Sequence, residues 1–323
     1  MFGSPVGGES RLRARQASRP RVRVPAFWLF VGPFLAGLMA FTFVPIAWGF
    51  VLSFFRARAT ATPTQFVGLE NYLVLLTSSA FQQALLTGVA FTIFIVPLSF
   101  VGALGLALMV HRLPVLSGAS RSVFFLPAAC SYVVGSLIWK MNIFNGLPFG
   151  LANSVLATFH LGPFAWIGTV APPLYWVVLV TVRLWLQLGA FMIIFIAGIQ
   201  EIPRPLYEAA AVDGARPGWQ TFRNITWPLL RNTSVAVGLL LAIGAVQAFD
   251  EFYNIFAGLS TGAGQGTAGP FLVRPPMVYL FNVAFTDADL GRGAAGTFIV
   301  TAIVVLFVIV PARRLGFGRE QRA

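Results

Sequence analysis

The chain has 323 residues, 57% of them hydrophobic and only 10% charged, with a formal net charge of +12. Soluble domains carry about 25% charged residues, so the composition excludes a water-dispersed enzyme and a disordered scaffold, and Cys130, standing alone, excludes a disulfide module. A polytopic membrane protein remains, and the positions of the arginines decide whether the positive charge serves nucleic acid or membrane topology.

A spanning helix needs about 20 mainly apolar residues, the number that covers about 30 Å of hydrocarbon. Residues 1–26 carry Arg11, Arg13, Arg15, Arg19, Arg21 and Arg23 and read as a basic, lipid-facing tail. The apolar run behind it is too long for a signal peptide and has no convincing cleavage site, so it is expected to stay as a span. Spans are expected at residues 27–55, 84–110, 123–144, 172–199, 228–250 and 294–310. The third is the shortest, with Lys140 near its end and Cys130 expected to pack inside it. A membrane domain thus covers residues 27–315, and residues 316–323 form a short tail. The runs are continuous rather than alternating, so helices satisfy the backbone in lipid. The expected fold class is all-α, a polytopic membrane protein with six transmembrane helices. Pro33, Pro45, Pro97 and Pro127 fall inside spans and mark sites of bending.

The loops sort by charge. Arg112 and Arg121 lie between spans two and three. Arg204, Arg216, Arg223 and Arg231 lie between four and five, and Arg313, Arg314, Arg319 and Arg322 follow the sixth. The opposite loops hold Arg56, Arg58, Arg274 and Arg292. The bias predicts that both termini are cytoplasmic, as an even number of spans also requires. These positions fit topology and not a nucleic-acid partner.

The loop at residues 203–227 carries the strongest functional pattern. Pro203 and Pro205 suit a helix start. Leu206, Ala209, Ala210 and Asp213 follow at helical spacing, and Gly214 suits a stop. The product is a short exposed helix, too short and polar to span, of a kind that inserts into a partner's groove. Ile202-Pro203, Tyr207-Glu208-Ala209-Ala210, Asp213-Gly214-Ala215 and Ile225-Thr226-Trp227-Pro228-Leu229 together resemble the EAA loop of permease subunits in bacterial binding-protein-dependent ABC importers. The resemblance is to the carbohydrate branch, of maltose and glycerol-3-phosphate type. Phe66-Val67-Gly68-Leu69-Glu70-Asn71-Tyr72 and Gln247-Ala248-Phe249-Asp250 are similar to segments of that branch. The likeness runs from about residue 27 to about residue 315. Two departures stand out: the loop is one residue longer at Arg216-Pro217-Gly218, and Trp227 replaces the usual leucine.

The resemblance implies a coupling helix that docks in an ATPase cleft. Glu208 would be its anchor, Gly214 its sharp exit, and Tyr207, Ala209, Ala210 and Asp213 the rest of the contact. It implies a multi-pass subunit of the bacterial inner membrane that works beside a second, similar permease in a heterodimer, with two ABC ATPase subunits and an external solute-binding protein. The cargo would be a sugar or sugar derivative. The chain has no G-x-x-x-x-G-K-[ST] of its own, and its glycine-rich residues 261–266 read as a flexible outer loop. No cofactor is expected.

Polar residues inside spans are costly and mark candidate pathways. Arg183 and Gln187 stand at i and i+4 in the fourth span and share a face. Gln247, Asp250, Glu251 and Asn254 form one polar stripe if the fifth helix continues past Phe249, with Gly244 leaving room one turn earlier. Trp185, Phe249 and Tyr253 offer faces for a sugar ring. Arg183 is equally suited to pair with Asp250 or Glu251 and hold two helices together. His111 and His160 sit in separate loops, so no metal site is expected, and no nucleophile–base pair is visible. A membrane-embedded enzyme acting on a lipid or glycan, or an ATP-independent carrier, are the alternative readings.

Overall fold

The computed structural model describes residues 24–111, 117–167, 173–216, 218–256 and 274–314. Most of the expected basic tail (residues 1–23), Arg112, Pro217, residues 261–266 and residues 316–323 lie outside the described residues. In chain order the helices are α1 (Val24–Leu38), α2 (Val44–Leu52), α3 (Glu70–Thr77), α4 (Ser79–His111), α5 (Ser117–Phe125), α6 (Tyr132–Ile138) and α7 (Leu151–Ala157). They continue with α8 (Tyr175–Gln200), α9 (Arg204–Val212), α10 (Trp219–Thr221), α11 (Trp227–Leu229), α12 (Arg231–Val246), α13 (Asp250–Phe256), α14 (Pro276–Phe281) and α15 (Leu290–Arg314). One two-stranded hairpin, β1 (Phe55–Arg56) against β2 (Gln65–Phe66), is the only sheet among the described residues. Among the described residues, five helices are long and apolar enough to cross a membrane: Phe27–Leu52, Ser79–His111, Tyr175–Gln200, Arg231–Phe256 and Leu290–Phe307. The number is six if the bent pair Arg121–Ala129 and Tyr132–Ile143 is counted as one span.

The chain divides into two units after Val51. The first holds α1 and nearly all of α2, joined by a π-helical turn at Met39–Phe43. Pro45 accounts for that turn. Its ring removes the N–H that would reach back to Phe41 and crowds the carbonyl there, so the ladder widens just before it. Phe30, Phe34 and Phe41 are exposed and the helix is apolar around most of its circumference, as a lipid-facing helix requires.

The second unit begins with the hairpin, and the Phe66–Tyr72 motif that follows acts as a clamp. Gly68 turns the chain at φ +56°. The buried Asn71 then donates from Nδ2 to the carbonyls of Ser53 (2.9 Å) and Phe55 (3.0 Å). The Tyr72 hydroxyl meets Ser53 Oγ at 2.7 Å. The hairpin is tied in turn to the start of α15. Leu290 N–H donates to Ala57 O at 2.9 Å, and buried Asp289 accepts from Arg58 Nε at 3.0 Å and from the Arg292 N–H at 3.1 Å. Asp289 therefore caps α15, and two arginines that read as loop charges are part of that cap.

α8 is the hub of this unit. Its first half joins an apolar cluster with Phe91, Ile95, Ala245 and Phe252; its second half joins another with Leu104, Val237 and Leu241. On α4, α8 and α12 alike the change from one cluster to the other falls at one level, marked by Ser99, Arg183 with Gln187, and Gly244. Close crossings use small residues, as membrane helices do. A Cβ at Gly198 would sit 2.6 Å from Thr233 Oγ1, and one at Gly189 would fall on the Phe124 carbonyl oxygen.

Four expectations change. The third apolar stretch is not one straight helix: α5 runs into a 3-10 turn at Leu126–Ala129, and the chain then bends by 96°. Pro127 ends the first piece by lacking an N–H, and Ser131 starts α6 by accepting from Val133 N–H at 3.2 Å. Cys130 sits at this bend and is exposed rather than packed within a span. His111 is the last residue of α4, not a loop residue, because the helix continues one residue past the apolar run. The fifth helix does not continue unbroken past Phe249: α12 stops at Val246 and α13 starts at Asp250.

Candidate functional site

The polar layer is built around Arg183. Its Nε donates to Gln187 Oε1 at 2.9 Å, its Nη1 to Glu251 Oε1 at 2.7 Å and its Nη2 to the Gly244 carbonyl at 2.8 Å. The Tyr132 ring lies 4.9 Å from the guanidinium carbon. Gln187 Nε2 donates onward to Ser99 Oγ. Arg183 is 7% exposed and Glu251 1%. The helix break explains why Gly244 accepts. Ala248 N–H, which would normally reach back to Gly244, turns to the Ala245 carbonyl at 3.3 Å. The freed carbonyl needs a donor, and the absence of a side chain lets Arg183 approach: a Cβ there would stand 3.2 Å from Nη2. Of the two carboxylates that sequence offered Arg183, the structure selects Glu251.

The expected single stripe is thereby divided. Glu251 is buried in the layer, Gln247 is exposed, and Asp250 and Asn254 are half-buried. Asn254 Nδ2 donates to the Asp250 carbonyl at 2.7 Å, and Lys140 Nζ donates to the Asn254 carbonyl at 3.2 Å. Phe249 and Tyr253 stack with centroids 5.1 Å apart and planes within 14°. Trp185 makes no ring contact with this pair and packs on Trp139 at 4.8 Å. The sequence reading missed Ser99 and Tyr132. Their only sign was a hydroxyl placed in a predominantly apolar stretch.

At the other end of α8 lies α9, which buries none of its residues. Pro203 is its N-cap and Pro205 occupies the second helical position. It ends as a Schellman motif: Ala215 N–H donates to Ala210 O (2.9 Å), Gly214 N–H to Ala211 O (3.1 Å), and Gly214 has φ +80°. Tyr207 packs inward on the second apolar cluster, with its hydroxyl 3.1 Å from Thr226 Oγ1. Glu208, Ala209, Asp213 and Gly214 are exposed and Ala210 is half-buried. Glu208 forms no hydrogen bond or ion pair among the described residues. Where the loop is longer by one residue, Gly218 takes φ +112°, and the Arg216 backbone is held by Gln220 Oε1 and Thr221 Oγ1, each at 3.0 Å.

No protein-family model matches the chain. Over 289 residues it is 33% identical to the lactose transport system permease protein LacF of Rhizobium radiobacter, across 88% of this chain and 90% of that one. The chain belongs to the permease family of ABC importers, in its carbohydrate branch. The permease is also 29% identical to the trehalose/maltose transport system permease protein MalF of Thermococcus litoralis, across 91% of this chain and 94% of that one. Its fold is shared with a bacterial alginate ABC transporter solved in complex with an alginate pentasaccharide-bound periplasmic protein. The TM-score is 0.74 at 19% identity, over 90% of the permease and 94% of that chain. The permease is an inner-membrane transport subunit and not an enzyme. This membership sets aside the enzyme and ATP-independent carrier readings.

Proposed function

We propose that the permease forms one half of a heterodimeric pathway for a sugar or sugar derivative handed over by an external solute-binding protein. Two ABC ATPase subunits drive it, one of them docking on α9, with both termini in the cytoplasm. The observation that carries this reading is α9 itself, a well-stopped helix with no buried residue and an unpartnered Glu208 at its centre. The arginine distribution supports the orientation, since it places the α9 loop on the same side as the basic tails.

The six pathway candidates take two roles. Arg183, Gln187 and Glu251 frame the path, while Gln247, Asp250 and Asn254 present polar groups beside the stacked Phe249 and Tyr253. Because Glu251 neutralises Arg183, the reading favours an uncharged sugar over a sugar phosphate. Two relatives, with lactose and trehalose/maltose in their names, fit this choice, while a third is named for sn-glycerol-3-phosphate, so the panel must include both classes. The test is ATPase activity of the reconstituted importer with its binding protein, across a panel of neutral sugars and sugar phosphates. Stimulation by a neutral sugar is the expected result. Stimulation by sugar phosphates alone would overturn the neutral assignment, and no stimulation by any saccharide would overturn the substrate class.

A further inference from the structure

The second half of the coupling loop leans on α4 and leaves a cleft of about 700 Å3 between them. One wall is α4 from Phe100 through Gly105 to Leu108; the other is the loop from Trp219 to Trp227. Its lining side chains are apolar except for Arg223. From Leu108 to Phe100 the α4 wall runs about 12 Å at the helical rise, most of one leaflet of the ~30 Å hydrocarbon core.

Its mouth has the chemistry of the membrane surface. Trp219 is 72% exposed, and tryptophan at this level is an interfacial residue, whereas Trp227 packs on Phe100 at 6.3 Å and belongs to the deep end. Arg223 is exposed and has no acidic partner among the described residues. A cation without a counter-charge thus stands at the mouth of an apolar slot about 12 Å deep.

We propose that this cleft binds an anionic phospholipid. One acyl chain lies over Gly105 between Phe100 and Trp227, and the headgroup phosphate accepts hydrogen bonds from Arg223. The charge of Arg223 selects the anionic headgroup over a zwitterionic one. Because one wall is the coupling loop, the lipid braces that loop against α4. Gly105 supplies a probe: a Cβ there meets nothing within 4 Å, so the side chain of Gly105→Leu starts in the open slot.

The test is native mass spectrometry of the full-length permease in its purified complex, titrated with phosphatidylglycerol or phosphatidylcholine. Phosphatidylglycerol is expected to be retained in preference. Arg223→Gln should cut that preference about fivefold, the effect of one interfacial basic residue. Gly105→Leu should remove one retained lipid of either kind while leaving the subunit stoichiometry intact. Equal retention of the two lipids, or a preference unmoved by Arg223→Gln, overturns the proposal. Loss of a protein subunit from the Gly105→Leu complex also overturns it, since the slot would then be a protein–protein seam.

Discussion

The polar layer at Arg183 and the coupling helix α9 use similar materials and end in opposite states. Each has a carboxylate, a tyrosine and a helix end at or near a glycine. In the layer, Glu251 is 1% exposed and bonded to Arg183 at 2.7 Å, and the Gly244 carbonyl is taken by the same guanidinium. On α9, Glu208 is exposed and unpartnered, and Gly214 points the chain away from the helix. The layer is complete within this chain, so its chemistry is spent on holding α4, α8 and the α12–α13 junction at one level. α9 is complete only as a backbone. Apart from Tyr207, which packs inward, its side chains stand outside the clusters, and in the proposed coupling role they await another surface; that difference would separate a frame from a handle.

The largest effect should come from opening the layer. Glu251→Ala leaves Arg183 buried and unpaired, which costs about 3–5 kcal/mol. Thermal unfolding of the purified complex should show a clear fall in midpoint. The double variant Arg183→Met with Glu251→Leu should recover most of it, because removing both charges also removes the desolvation penalty. If the single variant is as stable as the parent, the layer is not a frame and the contrast with α9 fails.

How much of this was legible in the sequence follows from the range of the interactions. α9 was legible almost to the residue because Pro203, the alanines and Gly214 act on neighbours within a few positions. Five long apolar helices were legible because each is a local property of composition. The pairing of Arg183 with Glu251 and not Asp250 was not legible. It depends on the break at residues 247–249, which turns Glu251 inward and leaves Asp250 half-buried. The 96° bend beside Cys130 was marked by Pro127 only as a site of bending; its size is set by where α5 and α6 pack on α8. The Asp289 cap was hidden for the same reason, since Arg58 is 231 residues away from its partner.

A smaller effect should come from the exit of the handle. Gly214 holds φ +80°, where a side chain costs about 1–2 kcal/mol. Gly214→Ala should therefore fray α9 while leaving the layer untouched. Hydrogen exchange resolved by segment should show faster exchange at the amides of Gly214 and Ala215, with α8 unchanged. Faster exchange spread over α8 as well would mean that α9 and the frame are one cooperative unit.

The smallest effect on stability, and the most informative on function, belongs to Glu208→Lys. Glu208 is exposed and touches no charged partner among the described residues, so the permease itself should change by no more than about 0.5 kcal/mol. Its unfolding midpoint and its hydrogen-exchange pattern should match the parent's. Co-purification of the ATPase subunits should nevertheless collapse, because the reversed charge is buried only when α9 enters a partner's cleft, where an unpaired cation is costly. A permease that unfolds early would place Glu208 in the frame. One that keeps both its stability and its ATPase would leave α9 without the role its exposed face implies.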